Sequence, residues 1–297
     1  MHDLEAIGFV GLGVMGEAMC RNLAVRSGRP VIGFDLVGAP LDRLEAHGVE
    51  RAADVDAVAA RASVVFLSLP SAEHLTQVCG PLLKRARVGQ IVVDMSTSPV
   101  ALTRNLAAAF KDRGVAYVDA PIARTRQAAE DGTLAISVGA DAEVLAAIQP
   151  LLACMGTDIT HCGKVGSGQI VKLLNNMVLT ETVIALSEAL AIAERSGVDG
   201  ALLFDALSKG SADSFALRSH GVKAVLPGDF PERAFSTRYM LKDLSYALAL
   251  ADEVGLPLEN GRLAEQLLER ARDAGDGDRY WPVVSRVVGA AGVGVKA

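Results

Sequence analysis

The chain has 297 residues, of which 51% are hydrophobic and 22% charged, and its 29 basic and 35 acidic residues leave a formal net charge of −6. These proportions exclude a disordered or fibrous chain and predict a folded protein of about two domains. Because the net charge is negative and the basic residues are scattered, we expect neither nucleic acid nor a membrane surface as a partner.

Targeting and metal signals are both missing from the sequence. The opening Met1-His2-Asp3-Leu4-Glu5 has no basic leader, and no apolar run is recognised that approaches the roughly 18 residues of a transmembrane helix, so we expect a cytoplasmic protein. The cysteines form no CxxC pair and have no histidine at metal-ligand spacing, which predicts reduced thiols and no metal site. They are Cys20, Cys79, Cys154 and Cys162.

The first half of the chain alternates short apolar runs with longer amphipathic stretches, the pattern of strands and crossover helices in a parallel sheet. Predicted strands lie at residues 7–10, 31–34, 64–67, 91–93, 116–118, 135–138 and 158–160, and predicted helices include residues 101–113 and 142–155. Residues 1–163 are therefore predicted to form a Rossmann-type, doubly wound α/β domain that binds NAD.

The second half of the chain has a helical pattern throughout. Residues 169–196 contain no proline and predict one helix about 40 Å long at 1.5 Å per residue. Further helices are predicted at residues 201–207, 241–254 and 261–274, separated by breaks at Pro227, Pro231, Pro257 and Gly275. We expect residues 164–297 to form an all-α domain for substrate binding and oligomerisation, joined to the first by the long helix, and we expect a homo-oligomer.

A glycine-rich turn directly follows the first predicted strand and opens a helix. It reads Gly11-Leu12-Gly13-Val14-Met15-Gly16. In a dinucleotide fingerprint the first glycine permits the tight turn, the second lets the backbone approach the pyrophosphate, and the third lets helix and strand pack closely. A second cluster, residues 163–168, has the order GxxGxG, which favours a hinge or a close backbone approach over a second nucleotide site.

An acidic residue follows the second predicted strand. Asp35 comes 19 residues after Gly16, where a carboxylate hydrogen-bonds the adenosine ribose. A carboxylate there repels a 2′-phosphate, and Leu36-Val37 supplies no arginine to bind one. The sequence therefore predicts NAD over NADP, and the alternative is that Asp35 only ends a strand.

The long helix carries a lysine on an apolar segment. Lys172 and Asn176 are four residues apart and share one helical face. A lysine so placed is a candidate general acid toward a carbonyl oxygen, or the base in the reverse reaction. The alternative is a lysine that extends to solvent.

Taken together, these motifs resemble the β-hydroxyacid dehydrogenases, which include 3-hydroxyisobutyrate dehydrogenases and tartronate semialdehyde reductases. The resemblance covers nearly the whole chain. Its motifs are Gly8 to Gly16 with Met19 and Asn22-Leu23, Leu69-Pro70, Asp94-Met95-Ser96-Thr97, Asp119-Ala120-Pro121, Gly168 to Asn176, and Lys242-Asp243-Leu244.

The resemblance implies roles for particular residues. Lys172 would donate the proton in aldehyde reduction, and Asn175 and Asn176 would hold the substrate. Ser96 and Thr97 would lie near substrate and nicotinamide. Leu69 and Pro70 would border the cofactor, and Lys242 would close over both ligands. Family members commonly form dimers or tetramers.

One loop departs from the family pattern. The family's loop continues Asp-x-Pro-Val-Ser-Gly-Gly, whereas this chain reads Asp119-Ala120-Pro121-Ile122-Ala123-Arg124-Thr125. The Arg-Thr pair resembles the sulfolactaldehyde reductase branch, in which the arginine binds a sulfonate, so Arg124 and Thr125 are candidate ligands for the substrate's acid group. Ala123 and Leu179 differ from that branch. The alternative is a surface Arg124 paired with Glu130 or Asp131.

The predicted function is reversible hydride transfer between NAD and a short 3-hydroxy acid, with a small acidic substrate as the partner. A sulfolactaldehyde reductase is the alternative within the family. A phosphogluconate-type dehydrogenase shares the fold and the lysine, but the chain is short for it. The alternative of another class is a dinucleotide-binding sensor without catalysis, which would be expected to lose Lys172, Asn176 and Lys242.

Overall fold

The structure, a computed structural model, describes residues 6–232 and 234–290. Residues 1–5, on which the absence of a basic leader was judged, lie outside the described residues, as do Arg233 and residues 291–297. The chain divides into two compact units, Met1–Lys172 and Leu173–Ala297. The division falls inside one long helix, nine residues after the end of the predicted first domain.

The first unit is a nine-stranded sheet with helices between the strands. Its strands are β1 (Ala6–Val10), β2 (Val31–Phe34), β3 (Val49–Arg51), β4 (Ala62–Leu67), β5 (Ile91–Asp94), β6 (Ala116–Asp119), β7 (Ile122–Ala123), β8 (Leu134–Gly139) and β9 (Gly156–Gly163). Its helices are α1 (Gly16–Arg26), α2 (Gly38–Glu45), α3 (Val55–Arg61), α4 (Ala72–Arg85), α5 (Val100–Lys111), α6 (Arg126–Asp131), α7 (Ala142–Leu152) and the start of α8 (Ser167–Arg195).

The sheet is covered on both faces, which is the doubly wound arrangement that the sequence predicts. The strand order is β3-β2-β1-β4-β5-β6-β8-β7, with β9 beside β8. Every residue of β1 is buried, and Phe9 packs in one apolar cluster while Val10 packs in another. Alternate side chains of a strand point to opposite faces, so the two clusters are the two sides of the sheet.

The sheet contains two strands that were not predicted, and one predicted strand runs antiparallel to two of its neighbours. All seven predicted strands are present, but β3 and β7 are new because they have only three and two residues and too little periodicity to detect. β8 pairs antiparallel with β6 and β7. The connection from β7 to β8 is shorter than the dozen or more residues that a parallel crossover needs, so the chain returns in the opposite direction.

The second unit is helical, as predicted. After α8 it contains α9 (Gly200–Ser208), a π-helix (Leu217–Val225), α10 (Thr237–Glu253), α11 (Glu259–Ala271), a short π-helical turn (Arg272–Asp276), a 3₁₀-helix (Trp281–Val284) and α12 (Ser285–Ala290). The sequence did not predict the π-helices or the 3₁₀-helix. α10 begins four residues before its predicted start because the Ser236 hydroxyl caps it by accepting the Tyr239 N–H.

The long helix α8 corrects one expectation. By length and composition it is apolar enough to cross a membrane, although the sequence was expected to contain no such run. Its buried residues include Val183, Leu186 and Leu190, which belong to the main core of the second unit together with Leu244 and Trp281. The packing of this face against the core accounts for part of the apolar composition of α8.

Candidate functional site

The glycine-rich turn joins β1 to α1 in the first unit. Gly11 has a φ of +93°, and a Cβ there would lie 2.3 Å from the Ser68 carbonyl oxygen. A Cβ on Gly16 would lie 2.0 Å from the Gly11 oxygen, whereas nothing lies within 4 Å of that position at exposed Gly13. The first and third glycines are therefore required by the turn and its packing, and the second leaves the open approach that a pyrophosphate needs.

Asp35, directly after β2, stabilises this turn. Its Oδ2 accepts the Leu12 N–H at 2.6 Å and its Oδ1 accepts the Val37 N–H at 2.8 Å. Asp35 therefore does more than end a strand, since it links the β2 end to the glycine-rich turn. Val14 is exposed and Met15 packs against the core. The open Gly13 and the adjacent carboxylate fit the pyrophosphate and ribose of a dinucleotide.

The other predicted cofactor residues lie at the same edge of the sheet. Leu69 and Pro70 follow β4, which pairs with β1, and Ser96 and Thr97 follow β5, which pairs with β4. The Leu69 N–H donates to Ser96 Oγ at 2.9 Å. Ligands of doubly wound sheets bind at the carboxyl ends of the strands where the strand order reverses, and here that point lies between β1 and β4.

Two buried carboxylates stand side by side beneath these loops, because Asp94 on β5 pairs in register with Asp119 on β6. Asp94 accepts the Ser96 N–H at 2.9 Å and the hydroxyls of Ser98 and Tyr117 at 3.3 and 3.2 Å. Burial raises the pKa of Asp94 to about 6 and also raises the pKa of Asp119. The sequence placed both in its motifs without assigning either a role.

Asp119 binds the start of α8. Its two carboxylate oxygens accept the N–H groups of Gly166 and Gln169 at 2.7 and 2.8 Å. A Cβ on Gly168 would lie 2.4 Å from the Ser137 oxygen, so the glycine cluster permits a close backbone approach, one of the two predicted roles. Lys172 follows one turn later and is partly buried. The candidate proton donor is therefore on a turn of α8 that is bonded to the sheet.

In the second unit, the predicted substrate residues surround a buried carboxylate that the sequence reasoning missed. Asp243 Oδ2 accepts the Asn176 side-chain N–H at 2.6 Å, and the Lys242 Nζ lies 3.3 Å from Oδ1. Asn175 donates to Asn176 Oδ1 at 3.1 Å, and Lys242 also lies over the ring of Tyr239. The only signal for Asp243 was its place beside Lys242 in the motif.

The altered loop places Arg124 at the surface of the first unit. Its guanidinium donates to the Thr133 carbonyl at 2.6 Å and to Thr157 Oγ1 at 3.2 Å, and it pairs with Asp158 at 2.7 Å. The partner is therefore Asp158 rather than the Glu130 or Asp131 of the surface alternative. Thr125 caps α6 by accepting the Ala128 N–H.

The backbone at Arg124 has a φ of +87°, the conformation that glycine adopts readily. The family pattern has glycine at this position. The loop therefore keeps a backbone suited to glycine while it carries a charged side chain.

All four cysteines are free thiols, and Cys162 is partly exposed while the others are buried. Within residues 6–232 and 234–290, no group of three or more His, Cys, Asp or Glu side chains is arranged to hold a metal ion.

Comparisons with known proteins agree with this arrangement. Residues 6–163 match a family described as the NAD binding domain of 6-phosphogluconate dehydrogenase, and residues 166–283 match one described as NAD-binding of NADP-dependent 3-hydroxyisobutyrate dehydrogenase. The chain is 35% identical to the 2-(hydroxymethyl)glutarate dehydrogenase of Eubacterium barkeri over 97% of this chain and 96% of that protein.

Two solved structures resemble the whole chain. A 3-hydroxyisobutyrate dehydrogenase of Mycobacterium tuberculosis, solved with L-serine, superposes with a TM-score of 0.89 at 32% identity and covers 96% of this chain and 99% of its own. A protein called Psf3, solved with NADP⁺ and 2-OPP, superposes with a TM-score of 0.82 at 26% identity, covering 95% and 99%.

Proposed function

Because the chain belongs to the β-hydroxyacid dehydrogenase family and is an oxidoreductase acting on CH–OH donors, we propose that it transfers hydride reversibly between NAD and a short 3-hydroxy acid bearing a carboxylate. The observation that carries the proposal is the junction of three elements within the first unit. These elements are the Gly11–Gly16 turn, which packs against Ser68 and Leu69, the loop of Ser96 and Thr97, which bonds Leu69 and Gln169, and the first turns of α8 with Lys172.

In the proposed reaction, Lys172 moves the proton. A nicotinamide cofactor held at the Gly11–Gly16 turn would supply the hydride to the carbonyl carbon in reduction or accept it from the alcohol carbon in oxidation. During reduction the Lys172 ammonium gives its proton to the carbonyl oxygen, and during oxidation the neutral amine takes the hydroxyl proton back. Ser96 Oγ accepts the Leu69 N–H, and the Ser96 side chain also hydrogen-bonds the Asp94 carboxylate, so in the proposed site Ser96 is held in a fixed position beside the acid group.

Asp35 supports a preference for NAD over NADP. Its carboxylate is fixed by the Leu12 and Val37 N–H groups, so a 2′-phosphate on the ribose would meet a negative charge held in place. The next residue, Leu36, is 90% exposed and offers no cation. The matched NADP-dependent family and the NADP⁺ complex of Psf3 are the reason to test both cofactors.

We also propose that the protein is a homodimer or homotetramer that associates through α8. Exposed apolar side chains follow one another along this helix at three- and four-residue steps in its first half, and one more lies near its end. They are Val171, Leu174, Val178 and Ile192. Light scattering of the purified protein measures the subunit number.

The deciding experiment compares kcat/KM for NADH-dependent reduction of methylmalonate semialdehyde, tartronate semialdehyde and sulfolactaldehyde, then repeats the best substrate with NADPH. We expect a carboxylate substrate and NADH to be preferred. A tenfold preference for sulfolactaldehyde, about 1.4 kcal/mol of transition-state binding, would favour the sulfonate alternative instead. Absence of turnover with every hydroxy acid and semialdehyde in a wider panel would favour a non-catalytic sensor.

A further inference from the structure

Two buried glutamines lie at the two ends of strand β5. Gln90 precedes the strand and donates to the carbonyls of Ala59 and Ala62 at 2.8 and 2.7 Å, while its Oε1 accepts the Arg87 N–H. Gln169 lies on α8 near the loop that follows β5 and is fully buried. Each side-chain amide joins separate segments by main-chain hydrogen bonds, but only Gln169 does so at the carboxyl edge of the sheet.

Gln169 uses both ends of its amide on one loop. Its Oε1 accepts the Ser98 N–H at 3.1 Å and its Nε2 donates to the Ser96 carbonyl at 2.8 Å. Its own main-chain N–H is bound by Asp119 Oδ2 at 2.8 Å. A single residue therefore connects α8, the loop after β5 and the end of β6.

We propose that Gln169 is a positioning residue that holds Lys172 in register with the Ser96–Ser98 loop. Lys172 follows Gln169 by three residues, so both lie on one side of α8. The inference rests on the proposed function, in which Lys172 transfers the proton. A displacement of about 1 Å between a catalytic group and its substrate lowers turnover by about 100-fold, so a small slip of this turn has a large effect.

The contact between Gln169 and the Ser96–Ser98 loop requires a side-chain amide. The loop presents an N–H at Ser98 and a carbonyl at Ser96, so the partner must accept and donate together. In Gln169→Glu the ionised carboxylate would face the Ser96 oxygen, and only the protonated acid would restore the donor. The titratable and charged groups near this contact include Asp94, Asp119, Tyr117, Arg104 and Lys172, and all of them remain in the variant.

The experiment compares the full-length wild type with Gln169→Leu, Gln169→Glu and the matched control Gln90→Leu. For each protein we measure kcat and KM for semialdehyde reduction, the Kd for NADH by fluorescence, and Tm. We expect Gln169→Leu to lose 10- to 100-fold in kcat with a Kd for NADH within threefold of wild type. Gln90→Leu should lower Tm by about as much as Gln169→Leu does, because it removes the same kind of buried hydrogen bonds. Its kcat should stay at the wild-type value.

A second measurement uses Gln169→Glu, which also serves if Gln169→Leu does not fold. We expect its kcat, divided by that of wild type at each pH, to rise at least fivefold between pH 8 and pH 5. The division removes the pH dependence that both proteins have in common. A ratio independent of pH would overturn the positioning role, as would equal kcat values for Gln169→Leu and Gln90→Leu. A wild type that transfers no hydride would instead overturn the proposed function, and the role of Gln169 with it.

Discussion

Asp119 of the first unit and Asp243 of the second are both buried carboxylates, but their partners differ. In the first unit, Asp119 accepts main-chain N–H groups of Gly166 and Gln169. In the second, Asp243 meets the side chains of Asn176 and Lys242. Hydrogen bonds to main-chain N–H groups hold the backbone of a loop in position, whereas contacts between side chains hold only those side chains in position. We infer that geometry for catalysis is built into the first unit, and that the polar groups of the second serve binding.

The two units also differ in how burial shifts the pKa values of their titratable groups. Burial raises the pKa of Asp94 in the first unit to about 6, and burial lowers the pKa of His220 in the second to about 4. His220 lies 5.4 Å from the Trp281 ring, and its Nδ1 is 2.6 Å from the Tyr280 hydroxyl. In each case the neutral form is favoured, but the acid is neutral below its pKa and the histidine above it.

The largest expected effect tests whether proton transfer belongs to the first unit alone. Lys172→Ala should lower kcat by about 10²- to 10⁴-fold while NADH still binds, because the general acid is lost. Lys242→Ala in the second unit should mainly raise KM. Steady-state kinetics and NADH titration measure both, with exposed Lys164→Ala as the control. Turnover near that of wild type in Lys172→Ala would refute the assignment.

The pH dependence of unfolding should have opposite signs in the two units. The stability that Asp94 contributes is present below its ordinary pKa near 3.8 and is lost as the pH rises through about 6. The contribution of His220 is present above its ordinary pKa near 6.5 and is lost as the pH falls through about 4.

Relative to wild type, Asp94→Asn should therefore gain stability as the pH rises from 4 to 6, and His220→Phe should gain as the pH falls over the same range. Each change is at most about 3 kcal/mol. Urea unfolding at several pH values, followed by the fluorescence of Trp281 for the second unit and by circular dichroism for the whole chain, measures it. If the relative stabilities of both variants changed with pH in the same direction, the proposed difference between Asp94 and His220 would be wrong.

Substitutions of two glycines in the same turn should have different effects, one on stability and the other on cofactor binding. Gly16→Ala brings a Cβ to 2.0 Å from a backbone oxygen and should cost about 1–3 kcal/mol of stability, as overpacking does. Gly13→Ala meets open space, so its Tm should match that of wild type while its Kd for NADH rises about tenfold, or about 1.4 kcal/mol. Unchanged NADH affinity in Gly13→Ala would argue against a dinucleotide at this turn.

The smallest expected effect concerns Arg124, whose contacts lie at the surface of the first unit. Arg124→Gly relieves a positive φ, worth about 1 kcal/mol or more, and loses an exposed ion pair worth about 0–1 kcal/mol, so Tm should change little. If Arg124 binds the acid group, KM for the semialdehyde rises; Arg126→Ala, which breaks a neighbouring surface pair, is the control. An unchanged KM would leave the ion pair with Asp158 as its role.

Much of the fold and some of the candidate site could be read from the sequence. Periodicity located seven strands and the long helix, because burial on one or both faces of an element imposes a pattern on its residues. The spacing of Gly11, Gly13 and Gly16 identified the phosphate-binding turn, because each glycine answers a local steric demand. The motif around Lys172 led to the family. These features are set by residues close together in the chain.

Only the tertiary structure decided which distant groups meet. Gln169 contacts Ser96 across 73 residues, and Arg124 meets Asp158 rather than the nearer Glu130. The two-residue strand β7 likewise becomes recognisable only through its pairing with β8. A sequence pattern records whether a side chain is buried, but its partner depends on how separate elements pack, and hydrogen-bond geometry exists only after that packing. The sequence by itself therefore determined the elements and the family, and packing decided the contacts that hold the site.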